Sequence, residues 1–337
     1  MSEINLLAID LAKNVFELHG VDDRGACLLR RQVRRAQLLR FMTQLAPCTV
    51  AMEACSGAHY WGRQFEQLGH QVKLIAPQFV KPFVKGNKTD RNDAQAICEA
   101  AARPQMRFVA LKTVEQQQIL VLHRLRSAAV KERTALANRL RAVLGEFGVV
   151  VPKGLARLRR ALPEVLENST QALPPIVVEE LQLQREHLSA LDEQVQRLEV
   201  RIEQQLKLDE RACALMQRRG VGPLIASAFT AQIGAPQSFE NGRQVAAWLG
   251  LVPRQHSSGG KPLLLGISKR GDAYVRTLLV HGARAVLRTA TRHPGDALCR
   301  WALNVQERRG KNKAIVAVAN KMARQLWAQL ALRMKPV

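Results

Sequence analysis

The first 75 residues alternate between short apolar runs and turn residues, a pattern typical of strands with helices between them. The predicted strands are Leu6–Asp10, Val15–Val21, Cys27–Val33, Thr49–Met52 and Gln71–Ile75, and the predicted helices are Gln37–Leu45 and Gly57–Leu68. A further helix is expected from Asp90 to about Ala102. The order β-β-β-α-β-α-β-α predicts an N-terminal α/β domain.

From residue 113 onwards the apolar positions recur at helical spacing. Residues 113–147 predict one long helix, and residues 177–208 carry a heptad repeat with charged flanks. The seam positions are Leu181, Leu188, Leu191, Val195, Leu198 and Ile202. Such a repeat predicts a coiled coil, formed either with the earlier helix of the same chain or with another subunit.

The last third of the chain predicts further helices. Residues 215–233 resemble a helix-hairpin-helix whose glycines at 220 and 222 either approach a phosphate or only form a tight turn. Residues 250–262 predict a loop, Asp272 predicts the cap of a helix that ends at Thr289, and a basic turn at 308–313 leads into a final helix. The expected domains are an α/β domain at 1–110, a helical and coiled-coil region at 111–208, and a mostly helical domain at 209–337.

The net charge of the chain indicates which class of molecule it binds. The 337 residues contain 51 Lys and Arg against 28 Asp and Glu, a formal net charge of +23. Such an excess favours a polyanionic partner, and nucleic acid fits better than a membrane surface because no basic amphipathic helix with an aromatic face is evident. No segment predicts a membrane span or a secretion signal, and the six cysteines are scattered, which indicates a reducing cytoplasm.

Four acids stand at positions where they can meet. Asp10 and Glu53 end predicted strands, and Asp90 and Asp93 lie one turn apart at the start of a helix. Taken alone, the helix pair is better explained as capping and the other two as turn acids. Acids at the carboxyl ends of neighbouring strands lie where open α/β sheets place their sites, so the four together favour a Mg²⁺ site.

This element order, with acids after the first and fourth strands and on the following helix, resembles the ribonuclease H-like fold of RuvC-type resolvases. The whole chain resembles the DEDD insertion-sequence transposases, which include bridge-RNA-guided recombinases and the Piv invertases. The resemblance rests on residues 8–13, 52–54, 88–94 and 220–223, and on the run from 250 through Ser257-Ser-Gly-Gly to 269–276. Where many relatives have a Thr/Gly-rich stretch after the Glu, this chain has Cys55-Ser56-Gly57.

The resemblance implies specific chemistry. It implies that Asp10, Glu53, Asp90 and Asp93 bind Mg²⁺, with Mn²⁺ as a substitute, and that a C-terminal serine links covalently to cleaved DNA. The match falls on Ser258, with Ser257 as the reserve. A serine hydroxyl is a poor nucleophile unless a base or a metal activates it, so the serine must be brought to the acids, from the same or another subunit.

The resemblance also implies the partners. These are donor and target DNA, a bridge RNA encoded by the element, and further copies of the chain in a dimer or tetramer, in a bacterial cytoplasm near the nucleoid. One rival is a RuvC-like junction endonuclease that uses the same acids with water as the nucleophile. The other is a non-catalytic nucleic-acid-binding protein whose acids are only caps and turns.

Overall fold

The computed structural model describes residues 3–87, 89–168, 173–261 and 263–333, which form two compact units, Met1–Val114 and Glu115–Val337. Lys88 of the acidic motif and Pro262 of the predicted loop lie outside the described residues. The boundaries and roles of the three predicted domains remain predictions.

The first unit is built on a six-stranded mixed sheet in the order β3-β2-β1-β4-β5-β6. Its strands are β1 (Leu6–Asp10), β2 (Val15–Val21), β3 (Cys27–Arg34), β4 (Thr49–Glu53), β5 (Gln71–Ile75) and β6 (Phe108–Val109). The first three strands form the predicted antiparallel meander, and β1, β4 and β5 run parallel. The α/β expectation is confirmed, and β6, which pairs antiparallel with β5, was not predicted.

Helices cover both faces of this sheet. They are α1 (Arg35–Thr43), α2 (Ala58–Gln67), α3 (Pro77–Val80) and α4 (Asp90–Ala101). Leu7 and Ile9 of β1 share a core with α1 and α2. The alternate residues Leu6 and Ala8 pack instead with α4. Because strand side chains alternate between faces, the α4 face holds every second residue of β1.

The second unit is mostly helical, as expected. Its helices are α5 (Val114–Glu146), α6 (Leu155–Asn168), α7 (Pro175–Lys207), α8 (Glu210–Leu215), α9 (Pro223–Ile233), α10 (Gly242–Trp248), α11 (Ala273–Thr289), α12 (Ala297–Arg309) and α13 (Lys311–Arg333). A two-stranded antiparallel hairpin, β7 (Pro253–Gln255) and β8 (Leu264–Ile267), lies between α10 and α11.

Helices α5 and α7 pack antiparallel within one chain. Arg126 Nε donates to Glu199 Oε1 at 2.8 Å, and Arg133 pairs with Asp192 at 2.9 Å, so residue numbers rise along α5 as they fall along α7. The predicted heptad seam is buried. Its first half shares a core with α5 and α6. Helix α5 is thus a partner of α7 within the same chain, while supercoiling of the two helices stays a prediction.

Several local predictions are wrong. Residues 155–168, for which the sequence predicts no helix, form α6, because Leu158, Leu162 and Leu166 are buried on one helical face. The helix before the glycine turn ends at Leu215 instead of beginning there.

The C-terminal region departs from prediction in two further places. Residues 253–255, predicted as loop, pair with β8, and 297–309, left without an element, form α12. The predicted basic turn at 308–313 is therefore two helix ends joined at Gly310. No helix in the described ranges is long and apolar enough to cross a membrane.

Candidate active site

Asp10 and Glu53 lie side by side on the α4 face of the sheet. Asp10 follows Leu6 and Ala8 on the face that packs with α4, and Glu53 follows Ala51 on the same face. The strands β1 and β4 are parallel and pair in register up to Ile9 and Met52, so the next residues, the two acids, are neighbours. The carboxyl ends of two parallel strands therefore present both side chains at one edge.

Helix α4 brings the other two acids to this face. Its cap is Thr89, whose hydroxyl accepts a hydrogen bond from the Asn92 amide at 3.2 Å. Asp90 and Asp93 follow within the first turn of the helix. Neither carboxylate serves as the cap, so the capping explanation of this pair is wrong. Both carboxylates therefore lie in the first turn without serving as its cap, and they are available for a ligand.

The electrostatics of Asp10 show that the four acids are close. Burial first, and then the negative charges of Asp93, Asp90, Glu53 and Glu17, together raise the pKa of the Asp10 carboxyl from 3.8 to about 6. Among the described residues, all the charges that contribute to this shift are negative. A carboxylate held among other carboxylates favours binding a proton or a cation, because either relieves the repulsion.

Glu17 is a site residue that sequence reasoning missed. It lies directly opposite Asp10 in the β1–β2 pairing, so its side chain lies on the same face. The sequence alone would not have found it, because a turn at residues 12–14 pairs position 10 with 16, and the register that pairs Asp10 with Glu17 is seen only in the structure. Cys55 is a second such neighbour: burial raises the pKa of its thiol, and the charges of Glu53 and Asp10 raise it further.

The donor set fits a hard divalent cation. Carboxylate oxygens are the ligands that Mg²⁺ prefers, and one or two carboxylates with substrate phosphates usually suffice. As placed, however, no three His, Cys, Asp or Glu side chains within the described ranges are gathered closely enough to hold a metal ion. Ionised carboxylates repel one another at short range, so closer convergence requires the cation itself. Asp10, Glu53, Asp90 and Asp93 remain predicted ligands.

The candidate serine lies in the loop of the β7–β8 hairpin. Ser257 Oγ accepts hydrogen bonds from Gln255 Nε2 at 2.9 Å and from the Leu263 amide at 3.3 Å, and these bonds hold the loop. The exposed Ser258 hydroxyl has no hydrogen-bond partner among the residues that the structure describes. The two serines are therefore not equivalent: Ser257 is engaged in structure and Ser258 is available.

The base of this hairpin is tightly packed. Gly271 has a φ of +68°, and a Cβ added there would lie 1.9 Å from the Trp248 carbonyl oxygen. Arg276 Nη1 donates to the carbonyl oxygens of Leu249 at 2.9 Å and Arg270 at 2.8 Å, which ties helix α11 to both chain segments. The loop bearing Ser258 thus extends from a fixed base.

A buried hydrogen-bond chain, also missed from sequence, joins three helices of the second unit. The Ser227 hydroxyl donates to the Pro223 carbonyl oxygen at 2.7 Å, so His123 Nε2 donates to Ser227 Oγ at 2.9 Å. The other ring nitrogen, Nδ1, then accepts from the Tyr274 hydroxyl at 2.9 Å. Burial first, and the charge of Arg126 second, lower the pKa of His123 from 6.5 to about 4, so the ring is neutral at pH 7.

The glycine turn before α9 has a packing role. A Cβ on Gly220 would lie 2.9 Å from the Gly282 carbonyl oxygen of α11, and the residue has a φ of +79°. Only glycine fits this approach. The tight-turn explanation accounts for Gly220, whereas an added Cβ on Gly222 would have no atom within 4 Å.

Both units match known transposase families. Residues 7–148 match the DEDD IS110 transposase family, described as "Transposase", and residues 212–297 match the "Transposase IS116/IS110/IS902 family". The chain is 50% identical to a probable family 20 transposase of Pseudomonas aeruginosa, with 97% of both chains covered. It is 44% identical to the transposase for insertion sequence element IS1111A of Coxiella burnetii, over 98% of this chain and 90% of that one.

A third relative, the transposase for insertion sequence element IS1328 of Yersinia enterocolitica, is 43% identical over 97% of both chains. These matches run through the acid-bearing strands, helix α4 and the segment that carries the hairpin. The chain therefore belongs to the IS110 type of the DEDD insertion-sequence transposase family.

Proposed function

We propose that this protein moves an insertion sequence by Mg²⁺-dependent cleavage and rejoining of DNA strands, with Ser258 as the nucleophile. Asp10, Glu53, Asp90 and Asp93 hold the metal. The observation that carries the proposal is the Asp10 carboxyl, whose pKa of about 6 reflects burial and three converging acids from β4 and α4. A cluster of this kind destabilises a metal-free protein at neutral pH, which is expected of a cation site and not of caps and turns.

When bound, Mg²⁺ supplies charge neutralisation at the scissile phosphate and stabilises the developing charge on the attacking and leaving oxygens. The protein contributes the orientation of its ligands. The β1–β4 pairing fixes Asp10 and Glu53, and the Thr89 cap fixes the first turn of α4. These supports fix the backbone positions of the acids, and a preorganised framework accounts for much of the efficiency of such sites.

The serine step conserves the phosphodiester. Ser258 Oγ attacks the scissile phosphorus, the Oγ–P bond forms, and the bond from phosphorus to one deoxyribose oxygen breaks. The serine proton passes to solvent, and the leaving oxygen takes a proton and becomes a hydroxyl. A deoxyribose hydroxyl of another strand then reverses the step and releases the serine. No external energy source is needed, because one diester replaces another.

The structure favours Ser258 over Ser257 for this role. Ser257 accepts two hydrogen bonds that hold the loop, and its attack on phosphorus would require these bonds to break. Ser258 is exposed and followed by two glycines with positive φ, Gly259 and Gly260. No Cβ crowds these positions, so a DNA backbone has room to approach the hydroxyl.

We further propose that a bridge RNA encoded by the element selects donor and target DNA, and that a dimer or tetramer assembles on them. The net charge of +23 supports this, because a protein that leaves sequence reading to base pairing contacts mainly phosphates. Sequencing of RNA that copurifies with the protein after high-salt washing tests the guide. Recovery of only random cellular RNA contradicts it.

A trapping assay tests the nucleophile. DNA of the element end, nicked beside the cleavage site, is incubated with Mg²⁺, and protein–DNA adducts are resolved on denaturing gels. The wild type and Ser257→Ala are expected to form an adduct that resists sodium dodecyl sulfate, whereas Ser258→Ala and Asp10→Asn form none. Normal cutting by Ser258→Ala without an adduct would instead establish water as the nucleophile, as in the junction endonuclease.

A further inference from the structure

The second unit contains an open groove of about 1650 Å³ beside the serine hairpin. We call it the α13 groove: its floor is one face of α13, and its walls are α12, the start of α10 and the β7–β8 hairpin. The opposite face of α13 is buried in the core of the unit, with Ile315, Val318 and Leu326 among its residues. The groove exceeds the roughly 300–1,000 Å³ of small-molecule pockets, so a polymer segment fits it better.

The groove is uniformly basic. Five cationic side chains line it, and none of its described lining residues is an Asp or Glu. They are Arg243, Arg309, Lys313, Lys321 and Arg324. None forms an ion pair within the part of the chain that the structure describes, although Lys321 lies over the Trp301 ring at 4.2 Å. Unpaired cations around a recess favour an anionic occupant.

Apolar side chains also line the groove, and they favour single-stranded over double-stranded nucleic acid as the occupant. Leu264 and Leu265 on β8 are 64% and 44% exposed, and Val316 and Ala317 line the floor between the cations. A duplex turns its bases inward and offers a protein mainly phosphate and sugar. Bases of a single strand are accessible, so a surface with both cations and apolar side chains is expected to bind a single strand.

A second copy of the chain is a poorer occupant. The partner surface would have to be acidic, and the chain carries a net charge of +23. Two such copies repel one another at this basic recess. Charge complementarity therefore selects a polyanion over a self-interface.

We propose that the α13 groove binds a single-stranded segment of DNA and directs it along the hairpin toward Ser258. One wall of the groove consists of β7 and β8, and the loop between these strands carries Ser258. A strand lying on Leu264 and Leu265 therefore runs along the strand that leads out of the serine loop. The direction toward Ser258 rests on the proposed function, whereas binding in the groove does not.

Fluorescence anisotropy with the full-length protein tests the groove. Labelled 15-mer oligodeoxythymidine is titrated in EDTA, so that no cleavage contributes. Lys313→Gln with Arg324→Gln is expected to weaken binding about tenfold and to lower the salt slope by about 1.4, since each phosphate contact on a single strand contributes about 0.7. Leu264→Ala is expected to weaken binding without changing the salt slope, because it removes an apolar contact.

A matched variant controls for lost charge. Arg197→Gln with Arg201→Gln removes two exposed cations from α7, outside the groove, and is expected to change the affinity less than twofold. Binding of a 15-base-pair duplex by the groove variant is likewise expected to change less than twofold. Equal losses for duplex and single strand, or tighter binding of 15-mer oligouridine than of the DNA, would overturn the proposal. A failed adduct assay with normal groove binding would refute only the proposed function.

Discussion

Asp10→Asn is expected to stabilise the metal-free protein while abolishing its activity. The substitution keeps the shape of the side chain and removes a charge that lies among other carboxylates. In the folded protein the pKa of Asp10 is about 6, against an ordinary value of 3.8. Ionised Asp10 therefore lowers the stability of the folded state at neutral pH, because the unfolded chain binds the proton more weakly.

The expected magnitude follows from the same shift. A displacement of about two pH units corresponds to roughly 3 kcal/mol at about 1.4 kcal/mol per unit. The carboxyl is only partly buried, so solvent screening reduces this figure, and we expect about 1–2 kcal/mol at pH 7.5. The destabilisation is absent below pH 3.8, grows as the pH rises through about 6, and is constant above that value.

The assay is urea unfolding followed by circular dichroism, in EDTA and in 10 mM MgCl₂, at pH 7.5 and pH 4.5. Asp10→Asn is expected to be more stable than the wild type in EDTA at pH 7.5, with a smaller difference at pH 4.5. Mg²⁺ is expected to stabilise the wild type but not the variant, because only the wild type has the full set of ligands.

Glu66→Gln is the matched control, since it removes an exposed carboxylate from α2 of the same unit. It should alter neither stability nor the Mg²⁺ effect. The reasoning is refuted if Asp10→Asn destabilises the protein, or if its effect is the same at both pH values. An equal Mg²⁺ stabilisation of wild type and Asp10→Asn would show that the metal binds elsewhere.

Three further substitutions test the supporting structure by urea unfolding. Thr89→Ala removes the cap of α4 and should lower the free energy of unfolding by about 1 kcal/mol, whereas Thr89→Ser keeps the hydroxyl and should lower it much less. An equal decrease for both variants would contradict the role of Thr89 as the cap. Because the pKa of His123 is lowered in the folded protein, the free energy of unfolding of the wild type should fall by roughly 3 kcal/mol as the pH falls from 6.5 to 4. The free energy of unfolding of His123→Gln should fall less over that range, because glutamine does not bind a proton. Gly271→Ala should cost at least about 2 kcal/mol, because its Cβ would overlap the Trp248 carbonyl oxygen, whereas Gly266→Ala on open β8 should cost much less.

The first unit was predictable because its strands are short apolar runs between turns, and its acids end two of them. Because successive side chains of a strand point to opposite faces of the sheet, the position of each acid along its strand determines which face it occupies. What the sequence did not indicate was the cap. Asp90 looked like a capping residue, but Thr89, one position earlier, provides the hydrogen bond. Which of two adjacent polar residues caps a helix depends on backbone angles, and residue types alone do not determine those angles.

The second unit was less predictable. Helix α6 contains the spacing Leu158, Leu162, Leu166, but Pro152 and the run from Gly154 to Arg160 favour a break in the helical pattern. Helix α12 buries mainly the small residues Cys299 and Ala302, which give a weak periodic signal. The β7–β8 hairpin is exposed on both strands, so no alternation of buried and exposed residues marks it. In each case tertiary contacts decide the structure, and a local pattern does not show them.

The acidic site lowers the stability of the folded protein, so a requirement other than folding explains its presence. A chain with an excess of 23 positive charges has many cations with which to neutralise a carboxylate cluster. Yet the charges of described residues that shift the pKa of Asp10 are all negative, and they come from β2, β4 and α4. Four elements thus bring like charges together, and no Lys or Arg of the described ranges is among the contributions to that shift. A cation drawn from solution resolves this arrangement, since it attracts all of these carboxylates at once. The same cation gives a basic protein one acidic place at which a phosphate can be bound and cut.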